Sequence, residues 1–216
     1  MTQHIILLHG LARTSRSMRK LAAALKTAGF SVDNCNYPST RSPIEVLAET
    51  VITEVLQRSP DSDTVHFVTH SLGGIILRYY LNQHDIAQLG RVVMLAPPNQ
   101  GSEVVDHMKS WPLFRWFNGP AGQQLGTDEA AMTKRLPPAD FELGIIAGSR
   151  SVNCYLSTFL PGQNDGKVSI EATKLTNMTD HLILPVSHPF IMNNNVAIRQ
   201  TIHFLQHGKF KTSLPN

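Results

Sequence analysis

Short, uninterrupted apolar runs alternate along this chain with segments whose apolar residues recur every three or four positions. Continuous runs of this length are typical of strands that are buried on both faces of a parallel sheet. The helical spacing between them predicts crossing helices, so the pattern indicates an α/β fold with a mainly parallel sheet of about six strands. The predicted strands occupy residues 5–8, 30–37, 65–68, 91–96, 143–147 and 182–186.

Two of the predicted helices have recognisable ends. The helix that starts near Ser15 is followed by Gly29, which suits the left-handed residue after a helix. In the next helix, Ser42 is the expected cap, Pro43 the first helical residue and Glu45 the second half of a capping box.

Residues 103–139 break this regular alternation and show weak periodicity. Core packing is the commoner role for large aromatic side chains. Their position after the fourth predicted strand also fits a small helical, lid-like insertion that covers a site or forms the wall of an acyl pocket. We expect residues 1–216 to form one domain that contains this insertion. The aromatic residues concerned are Trp111, Phe114, Trp116 and Phe117.

Composition excludes several classes of function. The formal net charge of +3 is too small and too scattered to indicate nucleic-acid binding. We expect neither a signal peptide nor stable membrane insertion, because no basic start precedes an apolar stretch and no apolar run is long enough. The two cysteines, Cys35 and Cys154, make no disulfide framework, and no Cys/His spacing suggests a metal. We therefore expect reduced thiols and a cytoplasmic protein.

Ser71 lies between a predicted strand and a predicted helix, in the sequence Thr-His-Ser-Leu-Gly-Gly at 69–74. This order is typical of a nucleophile elbow, a turn so sharp that the residues two before and two after the serine must be small. Gly73 meets this requirement and Gly74 allows close helix packing, whereas Thr69 meets it only in part. We expect strained backbone at Ser71 and a hydroxyl at the carboxyl end of the sheet.

Further candidate groups follow other predicted strands, and open α/β sheets bind ligands beyond the carboxyl ends of their strands. Asp165 follows the fifth strand by one loop, and His188 follows the sixth. A serine hydroxyl needs a base to accept its proton, and that base needs an orienting carboxylate. We expect His188 to be the base and Asp165 the carboxylate, with the backbone amides of Leu11 and Leu72 facing the oxyanion.

Each of these assignments has a rival. His181 competes with His188, but it precedes the last strand and belongs at the opposite edge of the sheet. Asp180 lies on that same wrong side. Asp165 is also compatible with a plain Asp-Gly turn, and Glu171, which lies further past the loop, remains a possible acid.

Two other histidines have structural explanations. His70 adjoins Ser71 but, as its neighbour in a strand, is expected to point away from it and to pack. His66 alternates onto one strand face and is expected to lie in the core.

Five stretches occur in the order found in the α/β-hydrolase superfamily, and the chain resembles the compact bacterial lipases and esterases of that superfamily. The resemblance covers nearly the whole chain and implies a Ser71–Asp165–His188 triad, oxyanion amides at Leu11 and Leu72, and a bracing role for His9. The chain departs from the pattern at Thr69 and lacks the first hairpin of many members. The stretches are Leu-Leu-His-Gly-Leu at 7–11, the elbow, Ala-Pro-Pro-Asn-Gln-Gly-Ser at 96–102, Asn-Asp-Gly-Lys-Val at 164–168 and Ser-His at 187–188.

These residues predict a serine carboxylesterase or lipase-like hydrolase that acts on a small-molecule acyl ester and uses no cofactor or metal. A thioesterase, amidase or acyltransferase on the same triad remains an alternative, because these enzymes differ in pocket shape and acceptor. A binding protein on an inactive hydrolase scaffold is a further alternative, which the intact Ser, His and Asp positions disfavour.

Overall fold

The computed structural model describes residues 3–59, 63–129, 131–152 and 154–211, without the side chains of Phe114, Arg115, Cys154 and Leu156. Within these residues six strands form one sheet, and every neighbouring pair is parallel. The strands are β1 (Gln3–Leu8), β2 (Ser31–Asn34), β3 (Thr64–His70), β4 (Leu89–Leu95), β5 (Leu143–Gly148) and β6 (Asp180–Leu184). Their spatial order is β2-β1-β3-β4-β5-β6, so the predicted fold class is confirmed.

Helices cover both faces of the sheet, and each face has its own core. On one face the core includes Leu21, Leu25 and Phe204, and on the other Ile44 and Ile76. The helices are α1 (Arg19–Thr27), α2 (Ile44–Leu47), α3 (Thr53–Arg58), α4 (Leu72–Gln83), α5 (Glu103–Met108), α6 (Pro112–Gln123), α7 (Met132–Arg135), α8 (Cys154–Ser157), α9 (Ile170–Thr173) and α10 (Asn195–His207). A π-helical turn joins α2 to α3, and 3-10 turns occupy Ser15–Met18 and His188–Asn193.

The two edge strands differ from their predicted limits. β2 ends at Asn34, three residues early, because the chain turns there and brings Tyr37 against the ring of His9. β6 begins at Asp180 and ends at Leu184, directly before Pro185. Proline has no N–H to donate to a ladder, which explains why it marks the end of this edge strand.

The predicted capping box at Ser42 is wrong. Pro43 is the residue before α2, and no cap bond comes from its side chain. Instead the amide of Ile44 donates to Oε1 of Gln124 at 2.7 Å, and Nε2 of Gln124 donates to the Glu45 carboxylate at 2.8 Å. A residue 80 positions away in the chain therefore satisfies the start of this helix.

The 103–139 segment contains α5, α6 and α7. Gly119 interrupts α6 with φ of 59°, and a Cβ at this position would overlap the backbone of Thr40. At the end of the segment, the buried guanidinium of Arg78 on α4 donates to the carbonyls of Leu136 and Pro137 at 3.2 and 3.0 Å. Burial lowers the pKa of Arg78 to about 10. Ala130 lies outside the described residues.

No helix in the described part of the chain has both the length and the apolar character of a membrane span. Cys35 is a buried free thiol, and burial raises its pKa to about 11. Residues 60–62 and the terminal residues 212–216 lie outside the described ranges.

Candidate active site

Ser71 occupies the turn between β3 and α4 in a left-handed conformation, with φ of 51° and ψ of −120°. A non-glycine residue rarely adopts such a backbone, and one that persists in it is held by its surroundings. Here the amide of Ser71 donates to the carbonyl of Leu95 on β4 at 2.9 Å, and its carbonyl accepts from the amide of Gly74 at 3.0 Å. The expected strained elbow is present.

Two glycines make this turn sterically possible. A Cβ at Gly73 would lie 2.6 Å from the carbonyl oxygen of Leu8, and one at Gly74 would lie 3.2 Å from Oγ1 of Thr69. The departure from the family pattern at Thr69 is therefore accommodated by the space beside Gly74. The hydroxyl of Thr69 is buried without a hydrogen-bond partner among the described residues.

A hydrogen-bonded series connects three side chains at the carboxyl ends of β3, β5 and β6. Nε2 of His188 lies 3.0 Å from Oγ of Ser71, and its Nδ1 lies 2.7 Å from Oδ2 of Asp165. All three residues are buried, and Asp165 is only 1% exposed. The structure thus brings together the residues that the sequence analysis selected. We call these residues, together with the loop at 9–13, the sheet rim.

Asp165 is held by a tight loop. Its Oδ1 accepts from the amides of Lys167 and Val168, both at 2.9 Å, which leaves Oδ2 for His188. The amide of His188 also donates to the carbonyl of Asp165 at 3.1 Å. At the end of β5, a Cβ on Gly148 would lie 2.8 Å from Cβ of Asp165, so glycine allows this close approach.

The rival residues lie elsewhere. His181 is in β6 near its amino end, where Nε2 contacts the Thr173 hydroxyl at 3.0 Å. Asp180 accepts from the amide of Phe210 at 2.7 Å, and the exposed carboxylate of Glu171 pairs with Lys174 at 2.8 Å. None of these three contacts the Ser71–His188 pair in the described residues.

The expectation that His70 points away from the site is wrong. His70 lines the same cleft as Ser71, and its ring centroid lies 4.9 Å from that of His188. His70 is the last residue of β3, and Ser71 leaves the extended conformation directly after it, so strand alternation does not set the relative directions of these two side chains. Burial lowers the pKa of His70 well below its ordinary value, so the ring is neutral and Nε2–H donates to the carbonyl of His188 at 3.2 Å. His66 is buried on β3, as expected, and Nδ1 accepts from the amide of Arg91.

His9 and Tyr37 brace the loop after β1. Nδ1 of His9 donates to the carbonyl of Gly10 at 2.9 Å, its ring stacks on Tyr37 at 4.0 Å, and the Tyr37 hydroxyl donates to the His9 carbonyl. Burial lowers the pKa of His9, which favours this neutral tautomer. Neither the amide of Leu11 nor that of Leu72 donates to an acceptor in the described residues, so both remain available to a ligand.

A cleft of about 240 Å³ opens at Ser71 and His188. Its apolar lining comes from the loops after β1 and β4, from α5, from Leu125 and from the loop that holds Asp165, and its charged lining comes from Arg13 and Lys167. These two cations are not among the predicted site residues, although each lies two residues beyond one of them. The apolar residues are Leu11, Pro98, Val104, Val105, Met108, Leu125 and Val168.

Three of the four residues of the predicted aromatic wall are absent from this lining. Trp111, Trp116 and Phe117 are more than half exposed, and Trp116 and Phe117 contact each other with ring centroids 4.7 Å apart. The 103–139 segment instead buries smaller residues such as Ala121 and Leu125, which leaves the aromatic face of α6 in solvent. The side chain of Phe114 lies outside those described. In the described residues no group of three or more His, Cys, Asp or Glu side chains is arranged to hold a metal.

The parallel sheet, the elbow and the serine–histidine–aspartate arrangement at its carboxyl end define an α/β-hydrolase fold. The chain belongs to the palmitoyl protein thioesterase family, whose model matches residues 4–141. This range includes Ser71 and ends before Asp165 and His188. No curated protein matches the chain in sequence.

Solved structures have the same fold at low sequence identity. The mature lipase BlEst2 from Bacillus licheniformis has a TM-score of 0.71 and 20% identity, over 93% of this chain and 91% of that one. Phospholipase PlaB from Legionella pneumophila has a TM-score of 0.69 and 18% identity, over 96% of this chain and 57% of that one. The metagenomic carboxyl esterase MGS0156 has a TM-score of 0.69 and 20% identity, over 87% of this chain and 65% of that one. The chain therefore spans less than two thirds of the latter two proteins.

Proposed function

We propose that the protein is a serine hydrolase that cleaves carboxylic esters through an acyl-enzyme on Ser71. The observation that carries the proposal is the pair of contacts made by His188, 3.0 Å from Oγ of Ser71 and 2.7 Å from Oδ2 of Asp165. A neutral serine hydroxyl is a weak nucleophile, and a base at this distance can accept its proton as it attacks.

In the first half-reaction, Oγ of Ser71 attacks the ester carbonyl while Nε2 of His188 takes the hydroxyl proton. Asp165 keeps the Nδ1–H tautomer oriented and stabilises the imidazolium that forms. The tetrahedral intermediate collapses when its C–O bond to the leaving group breaks and His188 returns the proton to that oxygen. The products are the free alcohol and an acyl group on Ser71.

The amides of Leu11 and Leu72 stabilise the negative charge of the intermediate. Leu72 is the first residue of α4, where amides lack helical partners and the helix dipole favours an anion. The turn that presents Leu11 is fixed by the amide of Ala12, which donates to Ser39 Oγ at 3.1 Å, and by the brace of His9. Loss of one such donor typically costs roughly 3 kcal/mol of transition-state stabilisation.

In the second half-reaction, water replaces the alcohol. His188 removes a proton from the water as it attacks the acyl carbonyl, and then returns the proton to Oγ of Ser71, which releases the carboxylic acid. A cleft of about 240 Å³ is smaller than the ~300–1,000 Å³ of common ligand pockets, which favours a small acyl ester.

A thioesterase on the same residues is the second candidate, and the palmitoyl protein thioesterase family match favours it. The same steps apply with a thiolate as the leaving group. Parallel assays with an ester, a thioester and an amide of the same acyl group separate these activities by their kcat/KM values.

The proposed function is tested with p-nitrophenyl butyrate and a fluorophosphonate probe. We expect Ser71→Ala to lower kcat by roughly 10⁴-fold or more and to abolish labelling, because the attacking oxygen is lost. Ser17→Ala is the matched control, since that hydroxyl donates to the carbonyl of Thr14 outside the cleft. Labelling or full activity in Ser71→Ala would show that another residue is the nucleophile.

A further inference from the structure

Two cationic side chains line the cleft beside the proposed nucleophile. Arg13 is half-buried in the turn that presents Leu11, and Lys167 follows Asp165 by two residues in the loop that holds that carboxylate. They come from opposite ends of the sequence, yet both face the space that contains Ser71 and His188.

Neither cation is neutralised by a partner in the described part of the chain. In the described residues, the side chains of Arg13 and Lys167 form no ion pair and no hydrogen bond. Asp165 attracts Lys167, but its two oxygens already accept bonds from two amides and from His188. Lys167 is solvent-exposed, and partial desolvation by the atoms around its ammonium group, and then the charge of Arg13, lower its pKa. Two like charges kept near each other in a partly desolvated cleft attract an anion.

The two cations act on the histidine side of the cleft, where the leaving group departs in the proposed mechanism. The charges of both Arg13 and Lys167 act on His70, whose ring contacts that of His188. In the proposed mechanism His188 returns its proton to the leaving oxygen or sulfur, so this part of the substrate lies next to the imidazole. The apolar residues Val104, Val105 and Met108 line the rest of the cleft and suit the acyl group.

We infer that the substrate is an acyl ester or thioester whose leaving alcohol or thiol carries an anionic group, a phosphate or a carboxylate, that Arg13 and Lys167 bind. This inference rests on the proposed function. It adds a chemical class of substrate: an apolar acyl group joined to a negatively charged leaving group. Arginine contributes a planar fork of donors that matches either oxyanion, and lysine contributes a point charge.

Three butyrate esters on one scaffold test the inference: 3-butanoyloxy-4-nitrobenzoate, the corresponding benzamide, and the compound with a phosphate in place of the carboxylate. The benzamide is the neutral reference, and the other two distinguish a carboxylate from a phosphate. We expect the wild-type kcat/KM for at least one anionic ester to exceed that for the benzamide by about tenfold to a hundredfold. In about 1 M NaCl, where the Debye length falls to ~3 Å, this ratio should shrink.

Substitutions test whether the ratio of kcat/KM between the anionic and the neutral esters depends on the two cations. Arg13→Gln and Lys167→Gln should each reduce the anionic-to-neutral ratio at least severalfold, and Arg13→Lys should retain most of it. Arg16→Gln is the matched control, because it removes an exposed cation of the neighbouring 3-10 turn outside the cleft, and it should keep the wild-type ratio. Using a ratio separates recognition of the anion from any general loss of activity.

The inference is overturned if wild type shows no preference for either anionic ester, or if both Gln variants keep the wild-type ratio. A p-nitrophenyl ester with a carboxylate on its acyl chain tests whether the two cations bind the leaving group or the acyl group. If this ester alone is preferred and the preference depends on Arg13 and Lys167, the assignment to the leaving group is wrong. Failure of the proposed function has a different signature, which is absence of fluorophosphonate labelling together with no turnover of any ester.

Discussion

In the sheet rim, the side chains of Ser71, Asp165 and His188 are buried and hydrogen-bonded, whereas several aromatic side chains of the 103–139 segment lie in solvent. Asp165 is 1% exposed and its carboxylate accepts three hydrogen bonds, while Trp116 is 76% exposed. Both regions lie near the same cleft, but only the rim sits on strand ends fixed by parallel ladders. The segment is connected to the rest of the protein through individual side-chain hydrogen bonds such as those of Gln124 and Arg78.

This difference teaches that the proposed chemistry depends on groups whose positions the sheet determines. A buried carboxylate with three donors has one orientation, and its replacement affects turnover directly. An exposed aromatic residue loses little when it is truncated, because its surface is already hydrated. Substitutions in the two regions should therefore have effects of very different size.

The largest effect is expected for Asp165→Asn at the rim. The amide cannot hold His188 in the tautomer that accepts a proton from Ser71, so kcat for p-nitrophenyl butyrate should fall by about 10⁴-fold. The thermal unfolding profile should stay cooperative. Glu171→Gln, in the exposed rival acid, is the matched control and should leave kcat unchanged. A full rate in Asp165→Asn together with a large loss in Glu171→Gln would transfer the acid role to Glu171.

Gly73→Ala should destabilise the fold by about 1–3 kcal/mol, because the added Cβ meets the backbone of Leu8, which cannot move independently of β1. Gly126→Ala in the 103–139 segment is the comparison. There the added Cβ meets the carboxylate end of Asp106, a side chain that can shift at the cost of its hydrogen bonds to Thr127, so the loss should be smaller. Urea unfolding measures both free energies. Equal losses would mean that the segment is packed as rigidly as the rim.

His70, which lies beside the rim, makes the free energy of unfolding of the protein depend on pH. Its pKa is lowered in the folded state, so below the ordinary value of about 6.5 the unfolded chain binds a proton that the folded chain does not. The free energy of unfolding should consequently fall with decreasing pH, by up to ~1.4 kcal/mol per pH unit for this group. In His70→Gln the free energy of unfolding should depend less steeply on pH below about 6.5, because this contribution is lost. His107→Gln, in the exposed part of α5, should retain the wild-type slope, and an equal slope in both variants contradicts the assignment to His70.

Trp116→Ala should have the smallest effect. The free energy of unfolding should change by less than about 0.5 kcal/mol, because the side chain is mostly in solvent. The kcat/KM for p-nitrophenyl butyrate should also stay close to wild type, since Trp116 does not line the cleft. Met108→Ala, in the cleft lining, should raise KM instead. A large loss in Trp116→Ala with this ester would show that α6 covers the cleft during turnover.

The sheet and the elbow could be predicted because both depend on residues that are close together in the sequence. Buried parallel strands have continuous apolar runs, and the elbow needs glycine at a fixed distance from Ser71 because of steric contacts within a few residues. These features predicted the sheet and the positions of Ser71, Asp165 and His188.

The errors involve interactions between distant residues. Ser42 has the residue type and spacing of a helix cap, but the side chain of Gln124 accepts the hydrogen bond from the first amide of α2 instead. The prediction for His70 assumed that strand alternation continues to Ser71, whereas β3 ends at His70 and Ser71 has a positive φ. The aromatic residues of 103–139 have no helical periodicity that would indicate which face of α6 packs against the rest of the protein. Arg13 and Lys167 are ordinary cations in the sequence, and only the fold shows that they share one cleft.

The two bonds between residues 165 and 188, one through side chains and one from amide to carbonyl, have a consequence for engineering. The loop after β5 and the one after β6 form a single cassette, in which neither can be exchanged alone. A graft of one loop from a related enzyme would break a backbone bond as well as a side-chain bond, so a functional chimera must transfer the two loops as a pair.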